Sequence, residues 1–193
     1  MFLEANVDVV EIDPVVVEAG HRFFNLDKHP NVVPHAADAR SFVRKSDQKW
    51  NLIFGDAYNG VRGIPAQLAS REFFKQVQNH LAPGGVFLMN VITAVDGPKA
   101  ELLAGMLATL HEVFPHVNAF PVRGGGSLAQ NVILMASAED WTPLLTERTY
   151  ANGSWQSQFV QAYYPPNRLP AGGQVFTDDL NPVDAVIARA LME

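Results

Sequence analysis

The chain has 193 residues, 48% hydrophobic and 18% charged, which supports one domain with some elaboration and excludes intrinsic disorder. Lysine and arginine total 14 against 20 aspartates and glutamates, and the resulting charge of −6 disfavours nonspecific binding to nucleic acid or anionic lipid. There is no cysteine, so disulfide scaffolds, thiolate metal sites and cysteine nucleophiles are excluded.

Val7–Ile12 (VDVVEI) is short, β-branched and almost continuously apolar, the pattern of a buried parallel strand. Asp13-Pro14 then opens a helix, with Asp13 as cap and Pro14 at its first position. Val16, Val17, Phe23, Phe24 and Leu26 follow at roughly helical spacing. Asn31–His35 reads as a second strand and Asp38–Lys45 as a short helix with Phe42 and Val43 inward. Trp50–Phe54 reads as a third strand, ending at Gly55-Asp56.

Leu68–Leu81 is an amphipathic helix with Ser70 as a good cap, stopped by Ala82-Pro83-Gly84-Gly85. Val86–Ile92 is a fourth strand. Pro98–Phe114 is a helix carrying Leu102, Leu103, Met106, Leu107 and Leu110 on one stripe. Val117–Val122 and Asn131–Ala136 are two further strands joined around Gly124-Gly125-Gly126. From Glu139 to about Thr177 the pattern weakens into aromatic, irregular connections, and Asn181-Pro182 opens a last helix, Val183–Leu191. The expectation is a single domain over 1–193, with its core in 7–137 and an irregular extension in 138–193. Alternating strand and helix predict an α/β fold with a mainly parallel sheet.

No apolar run approaches the ~20 residues that span a bilayer. The opening MFLEANVDVVEID carries Glu4 and Asp8 where a secretory leader is basic. The expected compartment is the cytoplasm, with no membrane and no nucleic-acid partner.

In α/β sheets ligands bind beyond the carboxyl ends of the strands. Three strand ends carry an acid: Glu11, Asp38 and Asp56. Glu11 suits bidentate bonding to ribose hydroxyls. Asp38 suits an exocyclic amine such as adenine's, and Asp56 suits an amine proton or a cation. Helix capping competes for each acid, evenly for Asp38.

VDVVEIDP (Val7–Pro14), ADA (Ala37–Ala39), GDAYNG (Gly55–Gly60), SREFF (Ser70–Phe74), LAPGGVFLMNV (Leu81–Val91) and TDDLNPVD (Thr177–Asp184) together resemble the spermidine synthase (polyamine aminopropyltransferase) family, in its divergent bacterial branch. The resemblance implies a class I S-adenosylmethionine-methyltransferase-like Rossmann fold. It implies transfer of an aminopropyl group from decarboxylated S-adenosylmethionine to a small-molecule amine, without a metal. On this resemblance Glu11 holds the ribose, Asp38 with Ala39 the adenine, and Asp56 is the catalytic acid that takes the amine's proton. Tyr58 and Asn59 are the candidate acceptor-binding residues. The chain departs from the family at Asn59, where a second acid is usual; an amide lacks the charge to hold an ammonium, which argues against putrescine. The resemblance also places the family's first strand and glycine-rich loop before Val7. That leaves MFLEAN as the tail of a first helix and leaves strand edges open, from which self-association as a homodimer is expected.

Two rival readings share these motifs: a methyltransferase using intact S-adenosylmethionine in the same cleft, and a non-catalytic truncated remnant. Other features are weighed as structural. Gly124–Gly126 precedes a strand and so reads as a strand connection, not a phosphate cradle. The six histidines lack metal-ligand spacing. Tyr163 and Tyr164 read as packing under a loop, with a base or amine pocket as the alternative. Asp178-Asp179 reads equally as a cap or a cation site.

Overall fold

A computed structural model describes residues 5–58, 63–146 and 154–192. The chain forms two compact units, 1–47 and 48–193.

In the first unit, β1 (Val7–Glu11) pairs in parallel with β2 (Val32–Ala36), in register from Val7↔Val32 to Glu11↔Ala36. The connection is α1 (Pro14–Phe23): Pro14 opens it, and Asp13 Oδ1 accepts from the Val15 amide at 2.8 Å. The helical spacing of its apolar residues is real, but the stripe is not buried: Val16, Phe23 and Phe24 are 53%, 68% and 76% exposed. α2 (Ala39–Lys45) follows β2, and its Val43 is buried as expected. Phe42 sets its ring 4.6 Å from that of His35. His35 Nε2 in turn lies 2.7 Å from the Asp8 carboxylate, joining the two strands.

The second unit holds a four-stranded sheet ordered β3-β4-β6-β5. Its strands are β3 (Trp50–Gly55), β4 (Leu81–Thr93), β5 (His116–Pro121) and β6 (Gln130–Ser137). β3 and β4 are parallel, joined by α3 (Arg71–His80), while β6 runs antiparallel to both β4 and β5. α4 (Glu101–His111) connects β4 to β5. α5 (Thr142–Thr146), α6 (Trp155–Ala162) and α7 (Val183–Met192) follow; the first two lie where the sequence pattern weakens.

The pleat divides this sheet cleanly, because directly paired residues share a face. Phe87, Met89, Val91, Val132 and Leu134 point to one side and are almost completely buried. The α4 stripe of Leu102, Leu103, Met106, Leu107 and Leu110 is buried too, as is Phe74 of α3. The Phe87 ring lies 5.8 Å from Phe74 and 6.4 Å from Phe114. On the other side Phe120, Met135 and Leu145 form a smaller cluster with Val86, Leu88, Ile133, Trp141 and Tyr163. The cluster thins toward β3, where Leu52 and Phe54 are each 54% exposed.

The TDDLNPVD motif proves to be a clasp. Arg71 N donates to Phe176 O (2.8 Å), Ser70 Oγ to Asp178 Oδ1 (2.6 Å) and Asp178 N to Glu72 Oε2 (2.9 Å). Asn181 Nδ2 donates to Ala66 O at 2.8 Å, while its Oδ1 accepts from Val183 N at the start of α7. Asp178 therefore secures the start of α3, and Asn181 takes the capping role at α7. Phe176 fits over Gly105 of α4, where a Cβ would lie 2.3 Å from its ring.

Candidate functional site

In the first unit the parallel register brings two of the expected residues to one end. Glu11 is the last residue of β1, and Ala37 N donates to Glu11 O at 2.9 Å, which places Asp38 beside it just past β2. Both carboxylates also serve the backbone. Glu11 Oε1 accepts from Asp13 N at 2.9 Å. Asp38 Oδ1 accepts from Ser41 N at 2.7 Å, so Asp38 is the cap of α2, with Ala39 its first residue. A cap uses one of the roughly four lone-pair positions of a carboxylate and leaves the rest for a ligand.

In the second unit Asp56 follows the last residue of β3, at the carboxyl end of the parallel pair. Its neighbour is Asn90, on β4 and on the same face. Asn90 Nδ2 donates to Asp56 Oδ1 at 2.9 Å, and Asn90 Oδ1 accepts from Asn131 Nδ2 at 3.2 Å. Tyr58 turns back over this pair, its hydroxyl donating to Asn90 O at 2.7 Å. Burial, and then the Asp56 charge, push the Tyr58 phenol up to about 12, so it remains a neutral donor at physiological pH. Asn59, the other expected acceptor residue, lies outside the described residues.

The result is one carboxylate with one oxygen engaged by a neutral amide, and among the described residues no hydrogen bond to its Oδ2 is seen. Chemically that suits an amine: the oxygen can bind the ammonium and then keep its proton. Sequence reasoning missed Asn90 and Asn131. The signal was present in VFLMNVI, where one amide interrupts an apolar strand two residues before its end.

The remaining candidates pack. Tyr164 is buried and bridges to Ala119, with the Arg168 guanidinium 4.5 Å above its ring. Tyr163 lies on Phe120, ring centroids 6.0 Å apart. Both line a cleft of about 410 Å³ with Val122, Gln158 and Arg168. Gly124–Gly126 connects β5 to β6, as the sequence predicts. Among the described residues no group of three or more His, Asp or Glu side chains could hold a metal. No helix among them is long and apolar enough to cross a membrane.

The order of strands and helices defines a class of fold, the S-adenosylmethionine-methyltransferase-like Rossmann fold. A solved structure described as a probable spermidine synthase from Corynebacterium glutamicum aligns over 95% of this chain and 60% of its own, with 23% identity and a TM-score of 0.62. The family model for the spermine/spermidine synthase domain matches residues 2–123, and the chain belongs to that family. A polyamine aminopropyltransferase of Vibrio vulnificus is 34% identical over 125 residues, 63% of this chain and 40% of that protein. An eEF1A lysine and N-terminal methyltransferase of Xenopus laevis is 28% identical over 127 residues, 61% of this chain and 18% of that protein. The chain spans 40–44% of the length of the bacterial aminopropyltransferases it matches.

Proposed function

We propose that the chain carries the adenosyl and amine sites of an aminopropyltransferase that uses decarboxylated S-adenosylmethionine. The observation that carries this reading is the Asp56 carboxylate at the end of β3, held through one oxygen by the Asn90 amide.

The chemistry is a displacement. An ammonium has no lone pair, so it must lose a proton before it attacks a sulfonium-activated carbon. Asp56 Oδ2 binds the cation and takes that proton. The freed nitrogen pair forms the new C–N bond, the C–S bond breaks toward sulfur, and neutral methylthioadenosine leaves. Glu11 would hold the two ribose hydroxyls, and Asp38 with Ala39 the adenine edge. Tyr58 and Asn59 would line the acceptor side. With Asn59 uncharged, the acceptor is an amine that does not need a second carboxylate at that position. Family membership and the relationship to the Vibrio aminopropyltransferase support the reading.

The test is release of methylthioadenosine from decarboxylated S-adenosylmethionine across a panel of mono-, di- and polyamines, followed by mass spectrometry. Asp56→Asn is expected to keep the fold and lower turnover by roughly 10²–10⁴-fold, the usual general-base contribution. Full activity in that variant would refute the base role. The relationship to an eEF1A lysine methyltransferase favours a second reading, methyl transfer from intact S-adenosylmethionine to an amine. Release of S-adenosylhomocysteine with a methylated amine would select it.

A further inference from the structure

We propose that Asn131 is a positioning residue: it sets the orientation of the Asn90 amide and thereby which oxygen of Asp56 faces the acceptor. This rests on the reading of Asp56 as the group that receives the amine.

The register places Asn131 for this task. Ile92 pairs directly with Asn131, and Asn90 with Ile133, so Asn90 and Asn131 are diagonal neighbours on one face. Diagonal cross-strand pairs are within reach of amide-length side chains. The terminal torsion of an asparagine has two nearly equivalent settings, related by a half-turn that exchanges oxygen and nitrogen. Here both neighbours favour the same setting. Asn131 brings a donor to Asn90 Oδ1, and Asp56 brings an acceptor to Asn90 Nδ2. A half-turn would set the Asn90 carbonyl against the Asp56 carboxylate and NH2 against NH2.

Asn131 is itself held. Its neighbour Gln130 is buried and closes the preceding turn: Gln130 Oε1 accepts from Arg123 N at 2.6 Å and Nε2 donates to Gly124 O at 2.9 Å. Val122 N donates to Asn131 O at 3.1 Å. The backbone of Asn131 is thus anchored by the sheet, and its side-chain amide donates to Asn90 Oδ1. With one lone pair of Asp56 Oδ1 engaged by Asn90, the carboxylate is held in one orientation, and its remaining lone pairs are the positions at which the amine is received.

The experiment compares wild type, Asn131→Leu and Asn131→Asp. Leucine is similar in size but cannot bond. Aspartate keeps size and polarity at this exposed position yet can only accept, so it demands the reversed Asn90 amide. The first readout is the side-chain ¹⁵N–¹H amide signal of Asn90, assigned with Asn90→Leu, and its hydrogen exchange with water. Exchange is expected to quicken several-fold in Asn131→Leu and further in Asn131→Asp. The second is kcat/KM for the amine, expected to fall about tenfold in Asn131→Leu, the size of one lost hydrogen bond, with unchanged affinity for methylthioadenosine. Wild-type exchange in both variants would overturn the proposal whether or not the protein turns over. So would wild-type exchange in Asn131→Asp alone, since that is what a merely structural role predicts. Accelerated exchange in a protein that transfers no aminopropyl group would sustain the positioning role and reject the aminopropyltransferase reading.

Discussion

Ser70→Ala is expected to destabilise the second unit by about 2–3 kcal/mol, through two separable losses. The Ser70 side chain is fully buried at the start of α3. Its oxygen accepts from Phe73 N at 3.3 Å, the N-cap bond, and replacing such a cap by alanine costs about 1 kcal/mol. Its hydroxyl also donates to Asp178 Oδ1 at 2.6 Å. A hydrogen bond to a charged acceptor contributes about 1.5–3 kcal/mol. Asp178 is exposed, so water replaces the lost donor and the lower end of that range applies. Urea denaturation should show an earlier midpoint with an unchanged slope. A double-mutant cycle with Asp178→Ala should return a coupling of about 1 kcal/mol, because the two residues share a bond that independent sites would not. Strict additivity, or a total loss under about 0.5 kcal/mol, would refute the clasp as a source of stability. The site has a stake in the result. α3 begins where the segment leaving Asp56 ends, so the clasp anchors the far end of the chain that carries Asp56 and Tyr58.

Three further outcomes are expected. The Tyr58 phenol should stay neutral through pH 10–11, followed by ultraviolet difference absorbance against Tyr58→Phe. The folded state then keeps a proton that the unfolded chain releases above pH 10, so this contribution to stability declines between pH 10 and about 12. Burial raises the Glu72 carboxyl, but hydrogen bonds from the Asp178 amide, its own backbone and Arg71 outweigh it and leave it below the ordinary value. Glu72 therefore stabilises the clasp above its unfolded pKa of about 4.5, and the contribution fades as pH falls through the folded value; Glu72→Gln should flatten the acid limb of a thermal-melt series. Glu11→Gln should weaken methylthioadenosine binding by about 1–3 kcal/mol in calorimetric titration, while Asn90→Leu leaves it unchanged. Equal affinity in Glu11→Gln would remove Glu11 from the site.

Period and punctuation located nearly every element, because burial and capping act locally. Asp13, Ser70 and Pro14 sit where their capping chemistry predicts. The α4 stripe of Leu102, Leu103, Met106, Leu107 and Leu110 is buried in the core. The misjudged places have physical causes. The sequence reads a helix through Leu81 stopped by Ala82–Gly85, yet α3 ends at His80 and β4 already begins at Leu81, pairing with Trp50, and shifts register before Leu52. Gly84 takes φ of +72° there, and a Cβ on Gly85 would lie 3.0 Å from Trp50 O. The glycines allow the strand to start five residues before Val86, where the sequence begins it. The α1 stripe looks like a buried face, but periodicity records only that residues share a side, not that something covers it. At Asp38, where cap and ligand are evenly balanced in the sequence, the structure shows the cap, Oδ1 accepting from Ser41 N.

The most instructive case is the glycine run. Gly124-Gly125-Gly126 tempts a phosphate-binding reading, and its real work is in topology. An antiparallel neighbour starts where β4 ends. The first residues after the β5–β6 turn are therefore delivered to the carboxyl end of the sheet, where ligands of α/β proteins bind. Positive φ at Gly124 and Gly126 lets the chain reverse there. The buried Gln130 side chain bonds across the turn, which removes slack from the residue that follows. That residue is Asn131. The hairpin thus brings the Asn131 amide to Asn90 of β4, whose Nδ2 bonds Asp56 just after β3. Local sequence marks the glycines and the acid, because each has a backbone or charge signature of its own. Asn90 shows only as an amide interrupting an apolar strand, and Asn131 carries no signature of its own; the two are joined only through the diagonal register of β4 and β6, a relation between residues 41 positions apart.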